Sequence, residues 1–140
     1  MAIRAERYHD ISCGHRVHGH EGKCRHLHGH NYRIHFVIES EAGLDSLGRV
    51  MDFSVIKRLL CMWLEDVWDH KMLMWQEDPL GEALRVLDDT VVLVPFNPTA
   101  ENIALHLLNV VAPQMLFGTG ARLVECRVEE TRKCSVSVTV

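Results

Sequence analysis

An alternating segment, YRIHFVIE at residues 32–39, sets the expected local structure of the first third of the chain. Its apolar members on one face are Tyr32, Ile34, Phe36 and Ile38. A period of two is typical of a strand with one buried face, because successive side chains point to opposite sides of a sheet. Eight of the ten histidines lie between His9 and His35. The sequence therefore predicts a strand that emerges from a histidine cluster.

Three of these histidines have the arrangement of metal ligands. His28 and His30 are two residues apart where the chain enters the strand, so both side chains point to the same side. Gly29 between them leaves room for close approach. His15 follows an earlier predicted strand, which can pair beside this one and bring its imidazole within reach. Three imidazoles with an open fourth position are typical of a catalytic zinc site, so we predict these three as Zn²⁺ ligands.

The other histidines in the cluster leave alternatives open. A pair at i and i+2 is, taken alone, more typical of surface polar residues than of a metal site. No spacing argument selects or excludes three further histidines as ligands, namely His18, His20 and His26. We interpret them, together with His9 and His35, as bystanders of the metal site.

One cysteine, Cys24, lies inside the cluster, with three residues between it and His28. A thiol close to a metal and to the basic neighbours Lys23 and Arg25 can serve as a thiolate base or nucleophile. A lone cysteine is otherwise usually a small packed hydrophobe. The metal ligands and the thiol together predict an enzyme.

Charge restricts the class of ligand. The whole chain carries a formal net charge of −4, which argues against a general nucleic-acid or membrane binder. Residues 13–33 are nevertheless locally basic, with Glu21 as the only acid. Such a segment suits an anionic ligand, although a solvated basic loop is the alternative. We expect Arg16, Lys23 and Arg25 to be candidates for that ligand, without assigning them individually.

The remaining elements follow from periodicity and caps. Residues 3–11 predict a first strand, and Asp52 and Thr99 are predicted N-caps of two amphipathic helices. Residues 69–89 are expected to be irregular. Alternating runs at residues 123–129 and 135–140 predict two further main strands, and a short apolar run at residues 90–94 could form another. We therefore expect an α+β fold with a four-stranded antiparallel sheet and two helices on one face.

The length fits one domain, residues 1–140, with no repeat or linker dividing it. The five cysteines are odd in number and form no C-x-x-C pair, so a reducing compartment is the simpler assumption. The amino-terminal residues lack the apolar core of a signal peptide, and no window approaches a membrane span. We expect a soluble, cytoplasmic protein. The open edges of a small sheet also predict a homo-oligomer.

Several motifs together resemble the 6-pyruvoyltetrahydropterin synthase family over nearly the whole chain. In order they are CGHRV, KCRHLHGHNY, GRVMDF, WDHKMLM, NPTAEN and VEET. The gap of three residues between Cys24 and His28 resembles the branch that makes 6-carboxy-5,6,7,8-tetrahydropterin. The resemblance implies the tunnelling fold (T-fold), in which subunits, as a hexamer or tetramer, join their sheets into a barrel with active sites between them.

The resemblance also implies roles for individual residues. It matches the zinc ligands to His15, His28 and His30, and the catalytic cysteine to Cys24. It matches a catalytic Asp-His pair to Asp69 and His70, for which the alternative is a helix C-terminal cap. The acid that anchors the pterin matches Glu130, otherwise a solvated strand residue. Thr99 and Glu101 resemble residues near the pterin pocket, but an N-cap and a first-turn acid explain them equally well.

The implied reaction converts 7,8-dihydroneopterin triphosphate to 6-carboxy-5,6,7,8-tetrahydropterin and releases acetaldehyde and triphosphate. It belongs to queuosine or 7-deazaguanine biosynthesis. Two alternatives remain at this stage. One is 6-pyruvoyltetrahydropterin synthesis or another pterin-processing reaction. The other is a non-catalytic, zinc-stabilised oligomer that binds pterin. Cys13 departs from the family pattern, because small residues such as alanine are usual at its position.

Overall fold

Two long antiparallel strands form the centre of the fold. In the computed structural model, which describes all 140 residues, β1 (Ala5–His15) pairs with β2 (His28–Ser40) along its whole length. The register places Ile11 opposite Tyr32, Cys13 opposite His30 and His15 opposite His28. Both strands therefore reach the histidine cluster, and β1 runs four residues beyond its predicted end.

Four shorter strands extend this pair into a six-stranded mixed sheet. They are β3 (Lys71–Trp75), β4 (Val91–Val94), β5 (Ala121–Glu129) and β6 (Ser135–Thr139). The spatial order is β4-β3-β1-β2-β5-β6. The β1–β3 and β3–β4 pairs are parallel, whereas the β1–β2, β2–β5 and β5–β6 pairs are antiparallel.

Two long helices contribute to the core that covers one face of this sheet. The first, α1, consists of α-helical Phe53–Ile56, π-helical Lys57–Cys61 and α-helical Met62–Val67. A shorter helix, α2, spans Pro79–Leu87. The third, α3, consists of α-helical Ala100–His106, π-helical Leu107–Val111 and α-helical Ala112–Met115. None of these helices combines the length and apolar composition that a membrane span requires.

The predicted helix caps are confirmed. The side chain of Asp52 accepts a hydrogen bond from the Ser54 N–H at the start of α1. The hydroxyl of Thr99 accepts one from the Asn102 N–H at the start of α3. Each cap satisfies a backbone donor that has no partner within its helix.

The core lies between the long helices and the central strands. The alternating residues Tyr32, Ile34, Phe36 and Ile38 are all buried, as the period of two predicted. Helix residues that share this core include Ile56, Leu60, Leu64, Ile103 and Leu107. The prediction of an α+β fold with two helices on one face is therefore confirmed.

The strand count and sheet type were predicted wrongly. The sheet has six strands and is mixed, because β3 lies in the segment expected to be irregular and the short run of β4 pairs parallel to it. The same segment also contains α2. Parallel strands that are buried on both faces read as continuous apolar runs, and β3 has the sequence KMLMW without alternation. Helix α2 begins after the Asp78 cap with Pro79 in its first turn. Gly81 allows this helix to pack closely, since a Cβ there would lie 3.0 Å from Leu93 and 3.3 Å from Met74.

Candidate metal centre and active site

The three predicted metal ligands meet at the end of the β1–β2 pair. His15 and His28 face each other across the two strands, and His30 follows two residues later on the same face of β2. The potential ligand atoms of these three residues all lie within 4.8 Å of one another. The Nε2 atoms of all three are buried and have no hydrogen-bond partner. Buried polar atoms normally have partners, so three unpaired nitrogens in one place indicate a site that could bind a metal ion.

Backbone carbonyls fix the orientation of two of these rings. The Nδ1 of His15 lies 2.6 Å from the Pro98 carbonyl oxygen, and the Nδ1 of His28 lies 2.7 Å from that of His26. An Nδ1–H that donates to a carbonyl leaves the lone pair of Nε2 free. This is the usual hydrogen bonding of a metal-bound histidine. The Tyr32 hydroxyl also lies 3.2 Å from the Nδ1 of His15.

Burial favours the neutral form of two of the three imidazoles. It lowers the pKa of His15 to about 4, against an opposing contribution from the Pro98 carbonyl and with help from the neighbouring His28 and His30. The pKa of His30 is also lowered, mainly by burial. Only neutral imidazole can bind a metal ion, so the lowered pKa values of His15 and His30 favour the form that binds.

Glu130 lies beside this triad. One of its carboxylate oxygens is 3.2 Å from the Nε2 of His30, although the two are not aligned for a hydrogen bond. The residue follows β5, and its N–H donates to the Cys134 carbonyl in the turn that leads to β6. The structure thus brings the predicted pterin anchor next to the predicted metal ligands.

The Asp69–His70 pair hydrogen-bonds to the backbone of Ser12 in β1. The Nδ1 of His70 lies 2.8 Å from a carboxylate oxygen of Asp69, and the other oxygen accepts the Ser12 N–H at 2.9 Å. The His70 N–H donates to the Ser12 carbonyl at 2.6 Å. His70 has a φ of 60°, a conformation that is uncommon outside glycine and is held here by these contacts. Its imidazole is 80% exposed.

A polar cleft of about 940 Å³ contains this pair. Its walls include Asp69 and His70 together with His30 and Glu130 from the neighbourhood of the triad. The opposite face of the central strands also contributes, through Asp10, Ser12, Asn31 and Arg33. Cys24 is not among the residues that line this cleft. The cleft therefore adjoins the metal centre but does not include the predicted catalytic thiol of the same chain.

The two thiols closest to the triad in sequence differ in character. Cys24 is half-buried in a 3₁₀ turn, Lys23–Arg25, between the two long strands. Cys13 is buried in β1, and its thiol donates to the Lys71 carbonyl at 3.3 Å. Burial raises the pKa of Cys13 to about 12, so it is an inert packed residue at neutral pH.

The structure does not bring Thr99 and Glu101 into the cleft or the triad. Thr99 caps α3, and Glu101 is an exposed acid in the first turn of that helix. Their site roles remain predictions. The segment just before them nevertheless supports the metal centre, through the Pro98 carbonyl and the side chain of Asn97, which binds the backbone of His18. No local pattern in the sequence indicated these contacts, which join residues about eighty positions apart.

The chain is similar to known proteins over nearly its whole length. The family model described as 6-pyruvoyl tetrahydropterin synthase matches residues 4–140. A protein of Rickettsia typhi named 6-carboxy-5,6,7,8-tetrahydropterin synthase is 35% identical over 138 residues, which cover 97% of this chain and 99% of that protein. A protein of Haemophilus influenzae with the same name is 33% identical over 101 residues, 68% of this chain and 72% of that protein.

Two solved structures show the same fold. An uncharacterised protein from Wolinella succinogenes superposes with a TM-score of 0.86 at 23% identity, covering 99% of this chain and 98% of that one. The 6-pyruvoyl tetrahydropterin synthase of Caenorhabditis elegans superposes with a TM-score of 0.70 at 23% identity, covering 100% and 96%. The expected T-fold is thereby confirmed. On the match of the family model and the near full-length relatives, the chain belongs to the 6-pyruvoyl tetrahydropterin synthase family.

Proposed function

We propose that this chain is a zinc-dependent lyase that converts 7,8-dihydroneopterin triphosphate to 6-carboxy-5,6,7,8-tetrahydropterin. Acetaldehyde and triphosphate leave, and the atoms balance when one water is taken up. The observation that carries the proposal is the convergence of three unpaired imidazole nitrogens beside Glu130. The chosen branch is supported by relatives of nearly equal length that bear this synthase's name.

The metal would be held by His15, His28 and His30. Three neutral nitrogen donors with a free fourth position suit Zn²⁺. When bound, zinc acts as a Lewis acid that stabilises negative charge developing on the hydroxylated side chain of the substrate. The carbonyls of Pro98 and His26 keep two of the ligands in the required tautomer.

Glu130 would anchor the pterin. A carboxylate is a two-oxygen acceptor and can receive paired N–H bonds from the 2-aminopyrimidinone edge. Its carboxylate beside His30 would place that edge a short distance from the metal, so that the side chain of the substrate lies over the triad.

Cys24 would remove a proton from the side chain of the substrate. The thiolate is the form that would accept this proton. Cys24 is only half-buried in its 3₁₀ turn, in contrast to the buried Cys13.

His70 would carry a second proton, with Asp69 fixing its orientation through the 2.8 Å contact to Nδ1. Cys24 does not line the cleft of Asp69 and His70 within one chain. We therefore propose a homo-oligomer, a hexamer or tetramer that joins sheets into a barrel, in which this pair serves a neighbouring subunit's Cys24. The sheet ends in β4 on one side and β6 on the other, and both are available for such pairing.

The product would feed queuosine or other 7-deazaguanine synthesis. The test is an assay of purified, reduced protein with Zn²⁺ and dihydroneopterin triphosphate, with the pterin product and acetaldehyde both quantified. We expect about one zinc per subunit and equal yields of acetaldehyde and 6-carboxytetrahydropterin. Formation of 6-pyruvoyltetrahydropterin instead would assign the related reaction. Tight pterin binding without turnover would identify a non-catalytic binding protein.

A further inference from the structure

Arg16 directly follows the predicted ligand His15, yet its side chain is not free to bind an anion. Its Nε and Nη2 atoms each donate to one carboxylate oxygen of Asp78, both at 2.6 Å. The Asp78 side chain is 0% exposed. This bidentate contact balances the charge of the guanidinium and fixes its plane. Arg16 therefore differs from Lys23 and Arg25, the two exposed basic residues of the same loop.

Asp78 is itself held rigidly. It caps α2 by accepting the Leu80 N–H at 2.9 Å, and its own N–H donates to the Trp75 carbonyl at the end of β3. Its carbonyl accepts the Gly81 N–H at 3.0 Å. Because β3 pairs with β1 at His15, this carboxylate is a fixed point close to the metal centre.

From this fixed point Arg16 reaches the turn that carries Cys24. Its Nη1 lies 3.4 Å from the carbonyl oxygen of Arg25, the residue after Cys24. The neighbouring Val17 N–H donates to the Cys24 carbonyl at 2.8 Å. The loop between β1 and β2 thus folds back on itself, and the peptide units on both sides of Arg25 are tied to residues 16 and 17.

A second anchor holds the same loop from the segment that precedes α3. The side-chain oxygen of Asn97 accepts the His18 N–H at 3.1 Å, and its amide nitrogen donates to the His18 carbonyl at 2.9 Å. The next residue, Pro98, contacts the ring of His15. One short segment therefore fixes both a predicted metal ligand and the loop that leads to Cys24.

We propose that Arg16, Asp78 and Asn97 are positioning residues that set the place of Cys24 relative to the histidine triad. The inference rests on the role proposed above for Cys24. An arginine is required because its planar fork binds both oxygens of Asp78 while a third nitrogen faces the Arg25 carbonyl. Lysine is a single point of charge and cannot make these contacts together.

The central test compares Arg16→Lys and Asp78→Asn with a matched pair elsewhere. Arg49 contacts Asp52 at 2.9 Å, and Asp52 caps α1 as Asp78 caps α2, but both of these side chains are 44% exposed. Arg49→Lys and Asp52→Asn therefore make the same chemical changes at an arginine–cap pair outside the site. All variants carry Cys134→Ser, which removes the exposed thiol.

Three quantities are measured: zinc affinity, kcat with KM, and the rate at which iodoacetamide alkylates Cys24, followed by mass spectrometry. For Arg16→Lys we expect kcat about 10- to 100-fold lower with KM and zinc affinity nearly unchanged, because a misplaced thiol affects the reaction and not binding. Alkylation should be at least about threefold faster, since the turn opens more often. Asp78→Asn should behave in the same way, and the control pair should match the wild type.

An unchanged alkylation rate in folded Arg16→Lys, or an unchanged kcat despite faster alkylation, would overturn the inference. Equal losses in Arg49→Lys would do the same. If Asp78→Asn does not fold, Arg16→Lys and Asn97→Ala decide. Absence of turnover in the wild type would instead refute the proposed function. The alkylation rates would then still show whether Arg16 positions Cys24.

Discussion

The histidine triad and the Asp69–His70 pair both lie near the carboxyl end of β1, but they differ in how far one chain completes them. The Nε2 atoms of the triad are buried, and backbone carbonyls orient two of its three rings. The imidazole of His70 is 80% exposed, and its Nδ1 lies 2.8 Å from a carboxylate oxygen of Asp69. This difference fits the proposed function, in which one chain supplies all three metal ligands and the exposed pair acts on a neighbouring subunit.

The largest effect is expected from loss of a triad member. His28→Ala removes one of three nitrogen donors. Loss of a residue that only hydrogen-bonds to a metal ligand lowers affinity about 10- to 100-fold, and we expect a larger fall in zinc affinity here. Competition with a chromogenic chelator measures this affinity. His18→Ala is the matched control from the same loop. Equal zinc affinity in wild type and His28→Ala would show that the three histidines do not bind zinc together.

Mixing two inactive variants tests whether the exposed Asp69–His70 pair acts across subunits. Cys24→Ala and His70→Ala should each lower kcat about 10²- to 10⁴-fold as homo-oligomers, because each removes a proton-transfer group. After joint unfolding and reassembly at equal amounts, about one quarter of the sites should combine an intact Cys24 with an intact His70 from a neighbour.

Recovered activity near that fraction would confirm that the pair acts across subunits. No recovery, with mixed oligomers shown to be present by mass spectrometry, would place Cys24 and His70 in one chain and contradict the proposed assembly. Reassembled Cys24→Ala alone controls for contamination.

A smaller effect is expected at Tyr32. Its hydroxyl lies near the Nδ1 of His15, but the Pro98 carbonyl already fixes that nitrogen at the shorter distance. Tyr32→Phe should therefore lower zinc affinity less than about 10-fold. A loss as large as that of His28→Ala would show that the hydroxyl, not the carbonyl, orients the ring.

The smallest effect concerns the thiols. Burial raises the pKa of Cys13 and of Cys126 to about 12, so both stay protonated across the neutral range. At pH 8, iodoacetamide should modify Cys24 and Cys134 first, and a peptide map after brief treatment measures this. Early modification of Cys13 would show that the end of β1 beside the triad opens readily, which contradicts a rigid metal centre.

Local chemistry explains which parts of this protein could be predicted. The strand at residues 28–40 follows from alternation, and the caps at Asp52 and Thr99 follow from residue types that bind free N–H groups. The triad is predictable because two of its members share one strand face and the third lies just beyond the preceding strand. In each case the signal spans only a few residues.

The missed elements had weaker or conflicting local signals. The strand Lys71–Trp75 is five residues long and lacks alternation, since it is parallel to both of its neighbours. The following helix had a cap and a proline at its start, but Pro79 and Gly81 also read as loop residues. Only the packing of Gly81 against Leu93 and Met74 decides between the two readings.

The sequence by itself determined the ligand types, their common strand face and the family that these motifs mark. Only the tertiary structure shows that Asp69 binds Ser12 and that Asp78 balances the charge of Arg16. It also shows that the 97–98 segment contacts His15 and the loop between β1 and β2. These contacts join residues 57 to 83 positions apart. No local periodicity encodes such pairings, because they arise only when β3 and α3 close long loops against β1 and its following turn.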